Sequence, residues 1–148
     1  MKDVVSILTA NEGKGWDKGI VPIKKEDITK LEQRLSVQFP QSYRDFILYS
    51  DGGELNGEES YILFYPLDMM EKLNPHDVWS IVWHDMVFFG DDSGGYIYFF
   101  DPDNLLGHGH WAIYGGYMGA HNTDYAIFIA SDIAGFVTRI LAGDYVLK

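Results

Sequence analysis

The hydrophobic pattern of this chain changes period at Asp51-Gly52-Gly53. Upstream, Ile28, Leu31 and Leu35 fall at i, i+3 and i+7, which is one face of a helix. Lys30, Glu32, Gln33 and Arg34 fill its other face, and Glu26 supports Lys30 as an i, i+4 pair. Asp27, or the residues just before it, caps the start. Pro40 stands where a second helix begins, because its missing N–H costs nothing in a first turn. Tyr43, Phe46 and Ile47 form the apolar stripe of that helix, and the glycine pair ends it. Downstream, short aromatic runs bounded by turn residues read as strands: 61–65, 86–89, 96–100, 111–114 and 125–129. The 90–95 turn between two of these runs makes a hairpin, and 67–73 reads as a short helical turn. A last helix starts after Ser131, carries Ile133, Phe136, Val137, Ile140 and Leu141 on one face, and stops at Gly143.

This order predicts an α+β single domain over residues 1–148. Its centre is an antiparallel β-sheet of about five or six strands, flanked by two N-terminal helices and one C-terminal helix. Residues 1–20 read as an irregular N-terminal segment. A chain of 148 residues suffices for one sizeable core.

Charge limits the function. Asp and Glu number 22 against 11 Lys and Arg, a formal net charge of −11. Such a chain repels phosphate backbones and anionic membrane surfaces and favours a basic partner. No Lys or Arg occurs between Lys72 and Arg139, a stretch that holds eight Asp and all five His. The chain has no cysteine, which excludes disulfides, thiol catalysis and Cys-based metal sites. The apolar run Val4 to Ala10 is short for a signal sequence, and no stretch reaches the roughly 20 apolar residues of a membrane span. The expectation is a cytoplasmic protein.

Short chemical motifs read as turns. His108-Gly109-His110 could place two imidazoles on a metal, with His121 or Asp124 completing the site, but a Gly-rich surface loop explains the same residues. The 90–95 turn has the composition of a calcium loop without the spacing or terminal Glu of an EF-hand. The paired carboxylates sit side by side in turns, whereas acid–base carboxylates face each other across a pocket. There is no Gly-x-Ser-x-Gly elbow, P-loop or dinucleotide fingerprint. No catalytic residue, cofactor or metal is expected. The strand aromatics allow two arrangements: both sheet faces covered, or a Tyr-rich face left open beside acidic turns as a protein-binding surface.

The segment from Ile28 to Leu55 resembles the start of the SUKH superfamily. The resemblance rests on Ile28, Leu31, Glu32 and Leu35, then Phe39-Pro40, then Tyr43-Arg44-Asp45-Phe46, then Asp51-Gly52-Gly53. It extends through Gly90-Asp91-Asp92-Ser93-Gly94-Gly95 and Ala130-Ser131-Asp132, roughly residues 21–145 in all. Family members often have Asn where Asp51 stands and an acidic residue where Tyr96 stands. The resemblance implies an α+β fold without catalytic machinery. Many bacterial members are immunity proteins of polymorphic toxin systems, often against nucleases. Fungal relatives are regulatory interaction proteins tied to cell-wall synthesis.

The expected function is therefore a non-enzymatic immunity protein that neutralises a cognate basic toxin domain, a nuclease. The expected contacts are Glu58, Glu59, Asp91, Asp92, Asp101 and Asp103. A regulatory adaptor for an endogenous protein is the alternative, and a metal-dependent hydrolase using the histidines is a third reading.

Overall fold

Seven strands form one antiparallel sheet whose spatial order is the sequence order. They are β1 (Trp16–Lys18), β2 (Gly53–Asn56), β3 (Tyr61–Phe64), β4 (Val87–Asp91), β5 (Tyr96–Asp101), β6 (Ala112–Tyr117) and β7 (Ile127–Ala130). The helices are α1 (Val4–Thr9), α2 (Lys25–Leu35), α3 (Gln41–Tyr49), α4 (Leu67–Leu73) and α5 (Ile133–Ala142). The computed structural model describes residues 3–74, 85–119 and 126–143.

The α+β class and the antiparallel sheet are as expected. The N-terminal segment is not irregular. Asp3 caps α1 by accepting the Ser6 N–H at 2.8 Å, and β1 pairs with β2. Both β1 and β2 escape a sequence reading because they are short and, unlike the other strands, carry no run of aromatic and aliphatic residues. Together they raise the sheet to seven strands.

Helices pack on one sheet face. Phe46 of α3 lies 4.9 Å from Phe64, and Phe136 of α5 lies 6.1 Å from the same ring. Trp16 is buried beside them, and its Nε1–H donates to the Tyr49 hydroxyl at 3.0 Å. This arrangement explains Gly53. Its φ is +132°, and a Cβ there would come within 2.4 Å of the Trp16 ring. The glycine pair thus does more than end α3: it turns the chain straight into β2 under an indole.

Both sheet faces are buried along β4–β6. Phe64, Phe89, Tyr98 and Phe100 lie on the helix side, while Phe88, Phe99 and Tyr114 are buried on the other. The opposite face is a ring cluster, with Phe99 stacked on Tyr114 at 5.8 Å and Tyr114 edge-on to Phe128 at 5.8 Å.

Register along β4 matters for the surface. Phe88 pairs with Phe99, but Gly90, not Phe89, pairs with Tyr98. This bulge inserts one extra residue, which reverses the facing of everything after it. Asp91 therefore pairs with Ile97 and lies on the face away from the helices. Without the bulge it would share the helix face with Tyr96.

Candidate protein-binding surface

In a meander, alternate turns come to the same end of the sheet. The β2–β3 turn, which carries Glu58 and Glu59, and the β4–β5 turn, which carries Asp91 and Asp92, share one end. The β5–β6 connection, with Asp101 and Asp103, lies at the opposite end. The six expected contact residues therefore do not form one patch.

Asp101 leaves the set altogether. It is 0% exposed, and its two oxygens accept the N–H groups of Leu105 at 3.0 Å and Leu106 at 2.8 Å. It shapes the loop that follows β5 and offers nothing to a partner. Asp103 is exposed but isolated from the other acidic turns.

Sheet pairing adds carboxylates that local sequence reading missed. Asp17 pairs with Glu54, Glu54 with Leu63, and Leu63 with Asp91. These four side chains form one row across β1–β4 on the face away from the helices. Neighbouring strands are about 4.8 Å apart, so the row spans roughly 15 Å. In sequence, the alternation Glu54-Leu55-Asn56 was the available signal, but it is only three residues long.

Tyrosines hold the row in place. The Tyr61 hydroxyl donates to Glu54 Oε1, and the Tyr65 hydroxyl donates to Asp91 Oδ2 at 2.7 Å. The bond to Glu54, aided by partial desolvation, pushes the Tyr61 hydroxyl up to about 12. Burial, then the Asp91 bond, raises the Tyr65 hydroxyl well above its ordinary value. Both tyrosines therefore stay protonated donors. Asp91 also accepts the Ser93 N–H at 2.9 Å, and Asp92 accepts those of Gly94 at 2.7 Å and Tyr96 at 3.2 Å. The 90–95 turn uses its carboxylates to shape backbone, as Asx turns do.

Ion pairs among the described residues lie elsewhere: Arg34 with Glu71, and Arg44 with Glu32. Asp17, Glu54, Glu58 and Glu59 are exposed and Asp91 and Asp92 half-buried, so the negative field at this end reaches solvent.

An apolar corner adjoins the acidic turns. α5 starts beside β7 and runs to the β2–β3 turn, where a Cβ on Gly143 would meet Glu58 Cβ at 3.1 Å. Crossing the sheet this way leaves one corner outside its footprint. There Tyr96 and Tyr117 sit 5.6 Å apart, Tyr117 is 54% exposed, and Met118 and Ile127 are exposed too.

Among the described residues, His108 and His110 are engaged locally. His108 stacks on Phe128 at 4.3 Å, and His110 Nδ1 lies 3.0 Å from the Pro102 carbonyl oxygen. Among the described residues no three His, Asp or Glu converge to hold a metal. His121 and Asp124, the other candidate ligands, lie outside the described residues. No helix among the described residues is long and apolar enough to cross a membrane.

This helix-on-meander arrangement can be set beside known families. The profile of the SMI1/KNR4 family (SUKH-1) matches residues 22–139. The chain belongs to the SMI1/KNR4 family. Comparison with curated proteins found no match. The SMI1/KNR4 match spans α2 through most of α5, so it takes in the acidic row except Asp17, which precedes it. The family includes immunity proteins that bind cognate toxins.

Proposed function

We propose that this SMI1/KNR4 protein is a non-enzymatic immunity protein that binds a cognate basic toxin domain and blocks its substrate surface. The observation that carries this reading is the end of the sheet where two acidic turns meet the row Asp17–Glu54–Asp91, outside the ion pairs described. A nuclease presents Lys and Arg to phosphates, and carboxylates on a rigid sheet compete for the same groups. The Tyr96–Tyr117 corner supplies the aromatic area that anchors such interfaces.

The test is co-expression with a basic nuclease toxin domain, followed by binding kinetics on the purified pair. Rescue of growth, with an association rate that falls steeply as salt rises, supports the reading. Continued killing rejects the pairing, and a rate indifferent to salt rejects the electrostatic mechanism.

A further inference from the structure

We propose that the cleft between the start of α3, the start of α5 and Trp111 binds a guanidinium group. The cleft lies at the end of the sheet away from the acidic turns, so it stands independently of the toxin-binding reading.

The cleft measures about 330 Å³, at the lower end of the roughly 300–1,000 Å³ of ligand pockets. Its apolar lining is aromatic. Phe39, Tyr43 and Phe100 are buried, while Trp111 is half-buried and meets Phe39 at 5.7 Å and Phe100 at 5.3 Å in T-shaped contacts. Trp111 has a φ of +64°, the left-handed region that a bulky residue avoids unless its surroundings hold it there. Its N–H donates to the Asp101 carbonyl at 2.8 Å. The indole is thus set in position by the backbone and by two buried rings.

Charge and hydrogen bonding select the ligand. Among the described residues the lining contains no Lys or Arg. Its polar groups include the Asp132 carboxylate, the Ser42 and Ser131 hydroxyls and the His110 imidazole. Asp132 caps α5, its Oδ1 accepting the Gly135 N–H at 2.8 Å. That bond fixes the side chain, and Oδ2 is the acceptor left for a ligand. His110 Nδ1 is already 3.0 Å from the Pro102 carbonyl oxygen. Ser42 and Asp132 also line a neighbouring groove, which adds Asp3 and Asp45 and, among the described residues, again no Lys or Arg.

An anion is repelled by such a site. A neutral apolar molecule would cover Asp132 without pairing it. An ammonium is compact and strongly hydrated, and an aromatic cleft returns little for the water it strips off. A guanidinium is planar and more weakly hydrated, stacks on an indole and turns a fork of N–H donors to a carboxylate. Trp111 and Asp132 supply those two partners in one cleft.

An NMR titration of the full chain with N-acetyl-arginine amide tests the proposal. The signal is the Trp111 indole N–H, assigned by its loss in Trp111→Phe. It should move with a dissociation constant of about 1 mM or tighter. The neutral isostere N-acetyl-citrulline amide should leave it in place. Asp132→Asn should weaken binding roughly tenfold. Asn caps a helix as well as Asp does, so this variant keeps the wild-type melting temperature. Free L-arginine identifies the source. Equal binding assigns the cleft to a free guanidinium compound. Weaker binding, because its α-carboxylate meets Asp132, assigns it to an arginine carried on a protein. A Trp111 signal that neither arginine compound moves, up to about ten times that concentration, overturns the proposal. So does citrulline binding as tight as arginine, or unchanged binding by Asp132→Asn.

Discussion

Glu32 of α2 is ion-paired with Arg44 of α3, and its second carboxylate oxygen accepts the Phe39 N–H at 2.7 Å. One side chain thereby joins two helices and satisfies a backbone donor at the start of the second. Phe39 precedes Pro40, the N-cap of α3, so this bond fixes how the chain enters that helix. Phe39 then lies edge-on to Tyr43 at 5.2 Å. The residues that carry the SUKH resemblance are thus a packing and capping device, which is why they announce the family and say nothing about the partner.

Breaking that device should cost stability alone. Glu32→Ala leaves the Phe39 N–H without its acceptor and Arg44 without its counter-ion, and should lower unfolding free energy by about 2–4 kcal/mol. Urea melts of Glu32→Ala, Arg44→Ala and the double variant measure it, with a coupling energy between the two singles as the expected result. Additive losses would show that the two residues act independently.

Asp101 should behave as a structural residue. Asp101→Ala removes the acceptor for two loop N–H groups and should cost about 1–3 kcal/mol. Association with a partner at the acidic end should keep its rate. If the association rate dropped while the melting temperature held, the assignment of Asp101 to the fold would be wrong.

The acidic row should act through charge. Glu54→Gln keeps an acceptor for the Tyr61 hydroxyl, and with Asp17→Asn, at an exposed position of the same row, it removes two negative charges. The double variant should bind a basic partner with a lower association rate and a shallower salt dependence, at nearly unchanged stability. Stopped-flow kinetics at several ionic strengths reads both quantities.

The tyrosines set an alkaline limit. The Tyr61 hydroxyl titrates at about 12 in the folded chain against an ordinary value of 10.0. As pH rises past 10, the unfolded chain releases that proton before the folded chain does. The stabilisation is therefore complete below about pH 10 and is lost as pH climbs towards 12. Tyr65 contributes in the same direction, raised by burial and by Asp91. Tyr61→Phe and Tyr65→Phe should each flatten the fall of unfolding free energy with pH in that range. Denaturant melts across it would expose the error if the slopes were unchanged.

Gly53 should tolerate no side chain. Gly53→Ala combines a φ of +132° with a Cβ 2.4 Å from the Trp16 ring, and should destabilise by about 2 kcal/mol or more. Intrinsic fluorescence of Trp16 should shift with it, reporting the displaced indole.

Much of the fold was legible in the chain. Helices α2, α3 and α5 carry apolar residues at helical spacing over nine residues or more, long enough for the period to stand out. Strands β3 to β7 stood out as aromatic runs between turn residues. α1, β1 and β2 did not, because they are short and lack the aromatic runs that mark the other strands.

Of the surface, composition alone determined the sign. A stretch from Lys72 to Arg139 without a Lys or Arg makes an acidic surface whatever the fold. Tertiary structure decided where that charge acts. The meander sent the 58–59 and 91–92 turns to one end and Asp103 to the other, and burial drew Asp101 inside. Strand pairing lined Asp17 and Glu54 up with Asp91, residues far apart in the chain. The Phe88–Gly90 bulge turned Asp91 to their side of the sheet. Charge is a sum over residues and can be read from the sequence. Facing depends on register, and a single extra residue in one strand reverses it.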